Sequence, residues 1–434
     1  YNDFTNINIG GVTRDGKDGS NELSFIILEI QEELHELQPG LSIHVAEVTP
    51  DEFVKAGCRV IRQGHGYPSV FNPDCYVQEL VNQGKSLEDA REGGCSGCIE
   101  VGAFGKEAYV LTGYLNTPKI LEITLNNGWD PNSGKKLGLE TGDPRTFTSY
   151  EQLYEAYHKQ MLHFVNLKLS VNNYIERMFA LYAPATFLSL FIDDCITKGK
   201  DYYNGGARYN TTYIQCTGLG TTTDCFATIK KHVFEDKRYT MDELLTAVAA
   251  NFEGHEKMRQ YIMNRTPFFG NDDEYADTIA VKVYEDLVKA IKGHPNTRGG
   301  ETQLNMLSTT CHNYFGSVCH ATPNGRLAHF AISDGTSPAH GADTNGPTSV
   351  IKSLGKLDQT QSGGTLLNMR FIPALLKREE DLDKLVSLIR AYFNMDGHHI
   401  QFNVIDKETL IKAQQNPDDY KEYSDYLKKV GFPD

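Results

Sequence analysis

Two cysteines stand three positions apart in a glycine-rich stretch and are the first candidates for chemistry. Three glycines within residues 93–97 surround the pair Cys95 and Cys98, and this density predicts a tight loop rather than a helix interior. A CxxC pair can be a redox couple or half of a zinc site. The sequence has no second CxxC, and Cys98 is followed by Ile-Glu-Val-Gly rather than by a helix of the thioredoxin type. Two buried thiols without chemistry are the simpler alternative.

Another interpretation pairs Cys98 with Glu100 alone. Residues i and i+2 of an extended segment point to the same side, so the thiol and the carboxylate would face one pocket. Hydrogen-atom transfer at the sulfur could then be combined with proton transfer at the carboxylate. On spacing alone, the redox, zinc, buried-thiol and thiol–carboxylate interpretations all stay open.

Histidines are spread through the second half of the sequence and raise the question of a metal centre. No HExxH or HxH pair occurs among them, and an isolated histidine is more often a polar side chain with ordinary partners than a ligand. We therefore expect no metal site. The histidines concerned are His312, His320, His340, His398 and His399. The paired glycines match neither a GxxxxGK(S/T) nor a GxGxxG motif, so nucleotide binding is not expected either.

Composition narrows the class of protein around these residues. The chain has 434 residues, of which 40% are hydrophobic and 23% charged, as in soluble globular enzymes of two or three domains. Its net charge of −15 argues against nucleic acids and anionic membranes as partners. The most apolar stretch, residues 187–192, is far shorter than the roughly 18 residues of a membrane span. Nine scattered cysteines favour free thiols in the cytoplasm.

The elements that must position the candidate residues alternate between helices and strands. Apolar spacing predicts helices over 22–37, 150–182, 241–252, 273–292 and 379–393, and strands over 41–45 and 399–404. Thr49-Pro50-Asp51-Glu52 predicts a helix start with Thr49 as its cap. Residues 201–224 are expected to form loops and short strands, and residues 293–347 long ordered loops of the kind that line sites. The predicted class is α/β.

The run Gly97-Cys98-Ile99-Glu100-Val101-Gly102 resembles the cysteine loop of glycyl radical enzymes. The resemblance covers nearly the whole chain, because further blocks of the same family recur in order. These blocks are residues 205–210, 270–273, 309–312, 321–326, 363–368 and 399–403.

The resemblance implies a barrel of two five-stranded half-sheets surrounded by helices, of which this sequence holds only the C-terminal part. Residues 1–315 would belong to the barrel domain with the cysteine loop, and 316–434 to a glycine-radical-type C-terminal domain. The family binds no separate cofactor; a radical-SAM activating enzyme installs a radical on a glycine of the protein itself. That radical would take hydrogen from Cys98, whose thiyl takes hydrogen from a small-molecule substrate. A cytoplasmic homodimer is expected.

Within the family, one cysteine followed by a carboxylate differs from the two adjacent cysteines of pyruvate formate-lyases. The segments 102–114 and 309–316 resemble most the branch that dehydrates trans-4-hydroxy-L-proline to 1-pyrroline-5-carboxylate. The resemblance then implies that Cys98 is the thiyl carrier and Glu100 the general acid and base. It also implies a substrate pocket that has Asp3 binding the ring ammonium. The other residues carried over to this pocket are Phe4, Tyr114 and Thr309.

Two features depart from the family pattern. The first residue is Tyr1 rather than Met, so we expect the sequence to begin inside the barrel. The loop with the radical glycine should follow Lys421, but no matching run occurs there, and Gly431 has the wrong neighbours. The loop could be left out of the sequence, lost, or supplied by a separate subunit. A glycyl radical arylacetate decarboxylase and a non-catalytic scaffold without the radical glycine therefore stay as alternatives, with Asp3 mildly against the decarboxylase.

Overall fold

The computed structural model describes residues 5–36 and 38–416, which have the mixed α/β architecture that the sequence predicts. The strands in these ranges are β1 (Asn6–Gly10), β2 (Gly40–His44), β3 (Ser69–Phe71), β4 (Gly94–Cys95), β5 (Val101–Gly102), β6 (Glu107–Asn116), β7 (Trp129–Asp130), β8 (Lys135–Lys136), β9 (Tyr209–Thr217), β10 (Thr302–Met306), β11 (Asn368–Phe371) and β12 (His399–Val404). The α-helices are α1 (Glu22–Leu34), α2 (Asp51–Ile61), α3 (Pro73–Asn82), α4 (Leu87–Arg91), α5 (Thr117–Leu125), α6 (Tyr150–Tyr182), α7 (Thr186–Ser189), α8 (Cys195–Lys198), α9 (Leu219–Ile229), α10 (Met241–Ala249), α11 (Glu256–Arg265), α12 (Glu274–Ile291), α13 (Cys311–Ser317), α14 (Pro347–Leu354), α15 (Glu379–Phe393) and α16 (Lys407–Gln415).

A five-stranded sheet joins the two ends of the described chain in the order β1-β2-β3-β12-β11. The strands β1, β2 and β3 are parallel, and β12 runs antiparallel to β3 and parallel to β11. Helices α1 and α2 make the crossovers that parallel neighbours require. All five residues of β2 are buried, which explains why this strand shows no polar–apolar alternation.

A second sheet of parallel strands has the order β10-β9-β6 in the described ranges. Its register places Tyr114 of β6 opposite Gln215 of β9, and Gln215 opposite Asn305 of β10. An irregularity in the pairing between Leu111 and Tyr114 shifts the end of β6, as a bulge does. One half-sheet thus has the five strands that the sequence comparison implied, and the other has three within the part that the structure describes.

Each sheet has its own hydrophobic core on the side of the helices. One core packs α2 and α15 against the larger sheet through residues such as Val54, Ile389 and Phe402. The other packs α6, α9 and α12 against the smaller sheet, with Phe226 and Tyr157 among its fully buried side chains. Both sheets are therefore covered by helices, and a third, smaller hydrophobic cluster includes Ile99 and Val101 of the cysteine-bearing segment.

The structure differs from the sequence-based expectation in several elements. Helices α1 and α10 end at Leu34 and Ala249 rather than at residues 37 and 252. Helix α2 begins at Asp51, and its cap is Pro50 rather than Thr49; the Thr49 hydroxyl instead accepts a hydrogen bond from the N–H of Ala46. Residues 201–224 contain the nine-residue strand β9 and the start of α9 rather than short strands alone. All residues of α9 are buried, and this tertiary packing stabilises the helix despite the weak helix propensity of its residues. Residues 293–347 include β10 and α13 among their loops.

Among the helices in the described ranges, none combines the length and the apolar character that crossing a bilayer would require.

A buried ion pair fixes the strand that leaves the cysteine-bearing region. The Lys85 ammonium lies 3.0 Å from Glu107 Oε1, and the two side chains are 1% and 0% exposed. The other carboxylate oxygen of Glu107 accepts a hydrogen bond from the N–H of Ala103 at 2.9 Å. Removing one partner of such a pair leaves an uncompensated buried charge, which costs far more than the pair itself contributes.

The variant Lys85→Met should lower the free energy of unfolding by about 3–5 kcal/mol, as measured by urea denaturation. The double variant Lys85→Met, Glu107→Gln should recover a large part of that loss, because it leaves no unpaired charge. Equal stability of the single and double variants would contradict this account of the pair.

Candidate active site

The cysteine-bearing segment is a hairpin between β4 and β5. These short antiparallel strands pair Gly94 with Gly102 and Cys95 with Val101, and the N–H of Ser96 donates to the carbonyl of Glu100 at 2.9 Å. Gly97 has a φ of 98°, a conformation that side-chain-bearing residues rarely adopt. The glycines therefore allow the turn that the sequence predicts.

The carboxylate of Glu100 folds back onto the backbone of its own loop. Its Oε2 accepts hydrogen bonds from the N–H groups of Cys98 (3.2 Å) and Ile99 (3.3 Å), and its Oε1 accepts one from Gln215 Nε2 at 2.7 Å. Glu100 is 2% exposed, and burial raises its pKa against the opposing effect of these donors. The carboxyl therefore retains a proton more readily than an exposed glutamate, as a general acid requires.

The first cysteine of the CxxC pair, Cys95, is buried and supports the loop. Cys95 is 1% exposed, and its Sγ lies 3.4 Å from the carbonyl of Cys98. Burial raises its pKa well above that of an ordinary thiol, which disfavours the thiolate that redox or zinc chemistry needs. Cys98 is half-buried and carries the more accessible sulfur.

Strand β1 holds the hairpin from the other side. Asn8 Nδ2 donates to the carbonyl of Cys95 at 2.9 Å, and Asn8 Oδ1 accepts from the N–H of Cys95 at 3.0 Å. Asn6 Nδ2 lies 3.6 Å from Cys95 Sγ. Sequence reasoning missed Asn8 and Gln215, because no local motif links them to the hairpin; only the alternation of asparagine with isoleucine along β1 hinted at a polar face.

Two of the residues proposed for the substrate pocket lie side by side. The hydroxyl groups of Tyr114 and Thr309 are 3.0 Å apart. Tyr114 is half-buried, and burial raises its pKa to about 12 against the opposing effect of the hydrogen bond with Thr309. Thr309 is exposed to solvent.

The other two residues predicted for the substrate pocket, Asp3 and Phe4, lie outside the described ranges. The segment after Lys421, where the family pattern places the radical-glycine loop, also lies outside them.

The metal interpretation of the CxxC pair gains no ligands from the structure. In the described ranges, the one group of three candidate ligands with converging atoms is Cys75, Glu79 and His398, within 4.8 Å of one another. It contains neither Cys95 nor Cys98.

Gly364 lies directly against the cysteine loop. A methyl group at this position would meet the carbonyl oxygen of Ile99 at 2.6 Å and Asn305 Nδ2 at 3.3 Å, and the glycine has a φ of 132°. An alanine would therefore be strained by its backbone and would push on the loop between Cys98 and Glu100.

Gly364→Ala should destabilise the protein by about 1–3 kcal/mol and lower the activity of the full-length protein. Thermal denaturation and turnover check both effects. Alanine at Gly84, which has a positive φ but no neighbouring atom within 4 Å, is the matched control for backbone strain alone. If both variants lose the same stability and activity, the contact with Ile99 is irrelevant.

The turn thus places a thiol next to a carboxyl that readily keeps its proton. The thiol is suited to hydrogen-atom transfer, and the carboxyl can give a proton to a leaving oxygen or take one from it. The neighbouring phenol and hydroxyl can bind a polar substrate.

Two family matches divide the chain. Residues 1–316 match the family described as pyruvate formate lyase-like, and residues 332–423 match the family described as glycine radical.

Relatives of known activity cover almost all of this chain. It is 52% identical over 437 residues to trans-4-hydroxy-L-proline dehydratase of Clostridioides difficile, covering 99% of this chain and 55% of the relative. It is 32% identical over 472 residues to indoleacetate decarboxylase of Tractidigestivibacter scatoligenes, covering 100% of this chain and 53% of the relative. The chain thus spans about half the length of these relatives.

A solved structure agrees with the sequence matches. The crystal structure of hydroxyproline dehydratase from Clostridioides difficile with trans-4-hydroxy-L-proline bound superposes with a TM-score of 0.95 at 53% identity, covering 96% of this chain and 53% of that one. The match to the first family extends over most of the chain, and that to the second falls on its C-terminal part. With its hairpin of one cysteine and one buried carboxyl, the chain belongs to the pyruvate formate lyase-like family of glycyl radical enzymes.

Proposed function

We propose that the protein containing this chain dehydrates trans-4-hydroxy-L-proline to 1-pyrroline-5-carboxylate and water by radical chemistry. The observation that carries the proposal is the hairpin in which a half-buried Cys98 stands beside a buried Glu100 whose pKa is raised. The 52% identity to the hydroxyproline dehydratase supports the choice of substrate. The 32% identity to the indoleacetate decarboxylase is the weaker guide.

The proposed roles follow from the chemistry of each group. The Cys98 thiyl takes a hydrogen atom from the ring carbon next to nitrogen, which forms an S–H bond and leaves a carbon radical. The hydroxyl then leaves as water with a proton from Glu100, and the ring nitrogen loses a proton that restores the protonated Glu100. Return of the hydrogen atom from Cys98 completes the product and restores the thiyl. Binding must orient one C–H bond toward sulfur, because misplacement by about 1 Å costs about a hundredfold in rate.

Substrate binding is assigned to Tyr114 and Thr309, whose hydroxyl groups lie 3.0 Å apart, together with Asp3 and Phe4. An acidic group such as Asp3 can pair with the ring ammonium of a proline. Residues 1–315 would form the barrel part and 316–434 the glycine-radical-type domain.

Radical generation requires a partner in this proposal. A radical-SAM activating enzyme would place the radical on a glycine of the full-length protein, which works as a cytoplasmic homodimer. The match of residues 332–423 to the glycine radical family supports a radical held by the protein itself.

Anaerobic activation of the full-length protein tests the proposal. Electron paramagnetic resonance should show a glycyl doublet, and trans-4-hydroxy-L-proline should be converted while indoleacetate and hydroxyphenylacetate are not. Conversion of an arylacetate instead would establish the decarboxylase alternative. Absence of the doublet with an activating enzyme that activates a known relative would support the non-catalytic scaffold.

A further inference from the structure

A buried histidine contacts the peptide that joins Cys98 to Glu100. His398 Nε2 lies 3.1 Å from the carbonyl oxygen of Ile99, and its Nδ1 lies 3.0 Å from Glu79 Oε1. Ile99, His398 and Glu79 are each 0% exposed. The Ile99 carbonyl belongs to the peptide bond between Ile99 and Glu100. A group that holds this carbonyl therefore restrains the backbone between Cys98 and Glu100.

The number of protons on this pair follows from its geometry. The carbonyl of Ile99 only accepts, so Nε2 must carry a proton to bond with it. At Nδ1, either the imidazole is also protonated and faces an ionised Glu79, or Nδ1 is bare and accepts a proton from a neutral Glu79. Both arrangements are neutral overall and contain two shared protons. Burial raises the pKa of Glu79, which favours the arrangement with a protonated Glu79 and a bare Nδ1.

The surrounding contacts make the histidine a rigid donor. Its own N–H donates to Gln359 Oε1 at 3.0 Å, and its carbonyl accepts from the N–H of Asn72 at 2.9 Å. Glu79 lies on α3, with Cys75 Sγ 3.8 Å from its Oε1. These bonds fix the backbone from which the imidazole projects, and the contact with Glu79 lies on the far side of the ring from the loop.

We propose that Glu79 and His398 are positioning residues that hold the Ile99 carbonyl and thereby fix Cys98 relative to Glu100. Glu79 sets the tautomer of the imidazole, and His398 delivers the hydrogen bond to the loop. The inference rests on the proposed function where it concerns turnover, but the restraint on Cys98 is independent of the substrate.

Three variants separate positioning from mere stability. Glu79→Leu removes the carboxyl that sets the tautomer of the imidazole. His398→Phe removes the donor to the Ile99 carbonyl. Glu79→Gln keeps the geometry, because its amide can donate to a bare Nδ1 and leave Nε2–H on the carbonyl. His399→Phe is the matched control: it makes the same change one residue later, and among the described residues neither nitrogen of His399 has a hydrogen-bond partner.

The first measurement is the rate at which iodoacetamide alkylates Cys98 in the full-length, non-activated protein, followed by peptide mass spectrometry. We expect at least about a fivefold faster reaction in Glu79→Leu and His398→Phe, as expected when a restrained loop opens, and less than about a twofold change in Glu79→Gln and His399→Phe. The second is turnover at matched radical content, in which Glu79→Leu should lower kcat with KM nearly unchanged, and Glu79→Gln should retain kcat.

Unchanged alkylation in both disruptive variants would overturn the proposal, as would a Glu79→Gln variant as impaired as Glu79→Leu. If the wild-type protein leaves hydroxyproline untouched, the proposed function fails, but the alkylation rates still decide whether the pair restrains Cys98.

Discussion

Replacing Cys98 with serine is expected to abolish turnover in the activated full-length protein. The loss should be at least about a thousandfold, which corresponds to about 4 kcal/mol in the activation barrier. Serine is nearly isosteric, but its O–H bond is much stronger than an S–H bond, so hydrogen exchange with carbon no longer runs near balance. Anaerobic turnover, normalised to the glycyl radical signal, measures the effect.

Cys95→Ser is the matched control for this prediction. Cys95 lies in the same hairpin, and its Sγ contacts the carbonyl of Cys98, a contact that a serine hydroxyl can replace. We expect this variant to retain activity within about tenfold of wild type, because even complete loss of one neutral hydrogen bond would cost only about 1 kcal/mol. An equally complete loss in both variants would revive the interpretation of the two cysteines as a redox pair.

Glu100→Gln should lower kcat by about 10²–10⁴-fold, the usual contribution of a positioned general acid or base. The glutamine keeps the fold of the loop, since its carbonyl oxygen can accept from the N–H groups of Cys98 and Ile99. Its NH₂ group then faces Gln215, whose Oε1 has no hydrogen-bond partner among the described residues and can accept after an amide flip. The measured quantity is kcat at matched radical content, and near-normal turnover would exclude proton transfer by Glu100.

The same variant has a pH signature in stability. Because burial raises the pKa of Glu100 above the ordinary value of 4.5, the folded state binds this proton more tightly than the unfolded chain. The contribution is fully present below the unfolded pKa and is lost as pH rises through the folded pKa. The free energy of unfolding of Glu100→Gln should therefore improve relative to wild type as pH rises above 4.5. A constant difference would mean that the pKa is not shifted.

The local sequence predicts the turn of the cysteine hairpin but not the residues that hold it in place. Glycines close to Cys98 and Glu100 predicted a tight turn, because backbone freedom is a property of the residues themselves. The i, i+2 spacing predicts that the carboxyl and the thiol face one pocket, but it does not predict the hydrogen bonds that the carboxyl accepts from the N–H groups of its own loop. Gln215 reaches Glu100 only through the register of β9 beside β6, and no spacing within one segment encodes that register.

Helical periodicity located the amphipathic helices well and the fully buried elements poorly. Helix α15 has the predicted bounds, because one face is apolar and the other charged. Strand β9 and helix α9 are buried on nearly every side, so no polar face marks their period. Their Thr- and Gly-rich composition then suggested loops, and only tertiary packing decides otherwise.

The hydrogen bonds between Glu100 and its own loop couple the proton-transfer group to the position of the thiol. Its Oε2 holds the N–H groups of Cys98 and Ile99, and a carboxyl accepts such bonds more strongly when it is ionised. Each protonation or deprotonation of Glu100 therefore changes the strength of the hydrogen bonds that hold the turn with Cys98. A substitution that shortens or moves this side chain is therefore expected to shift the sulfur as well.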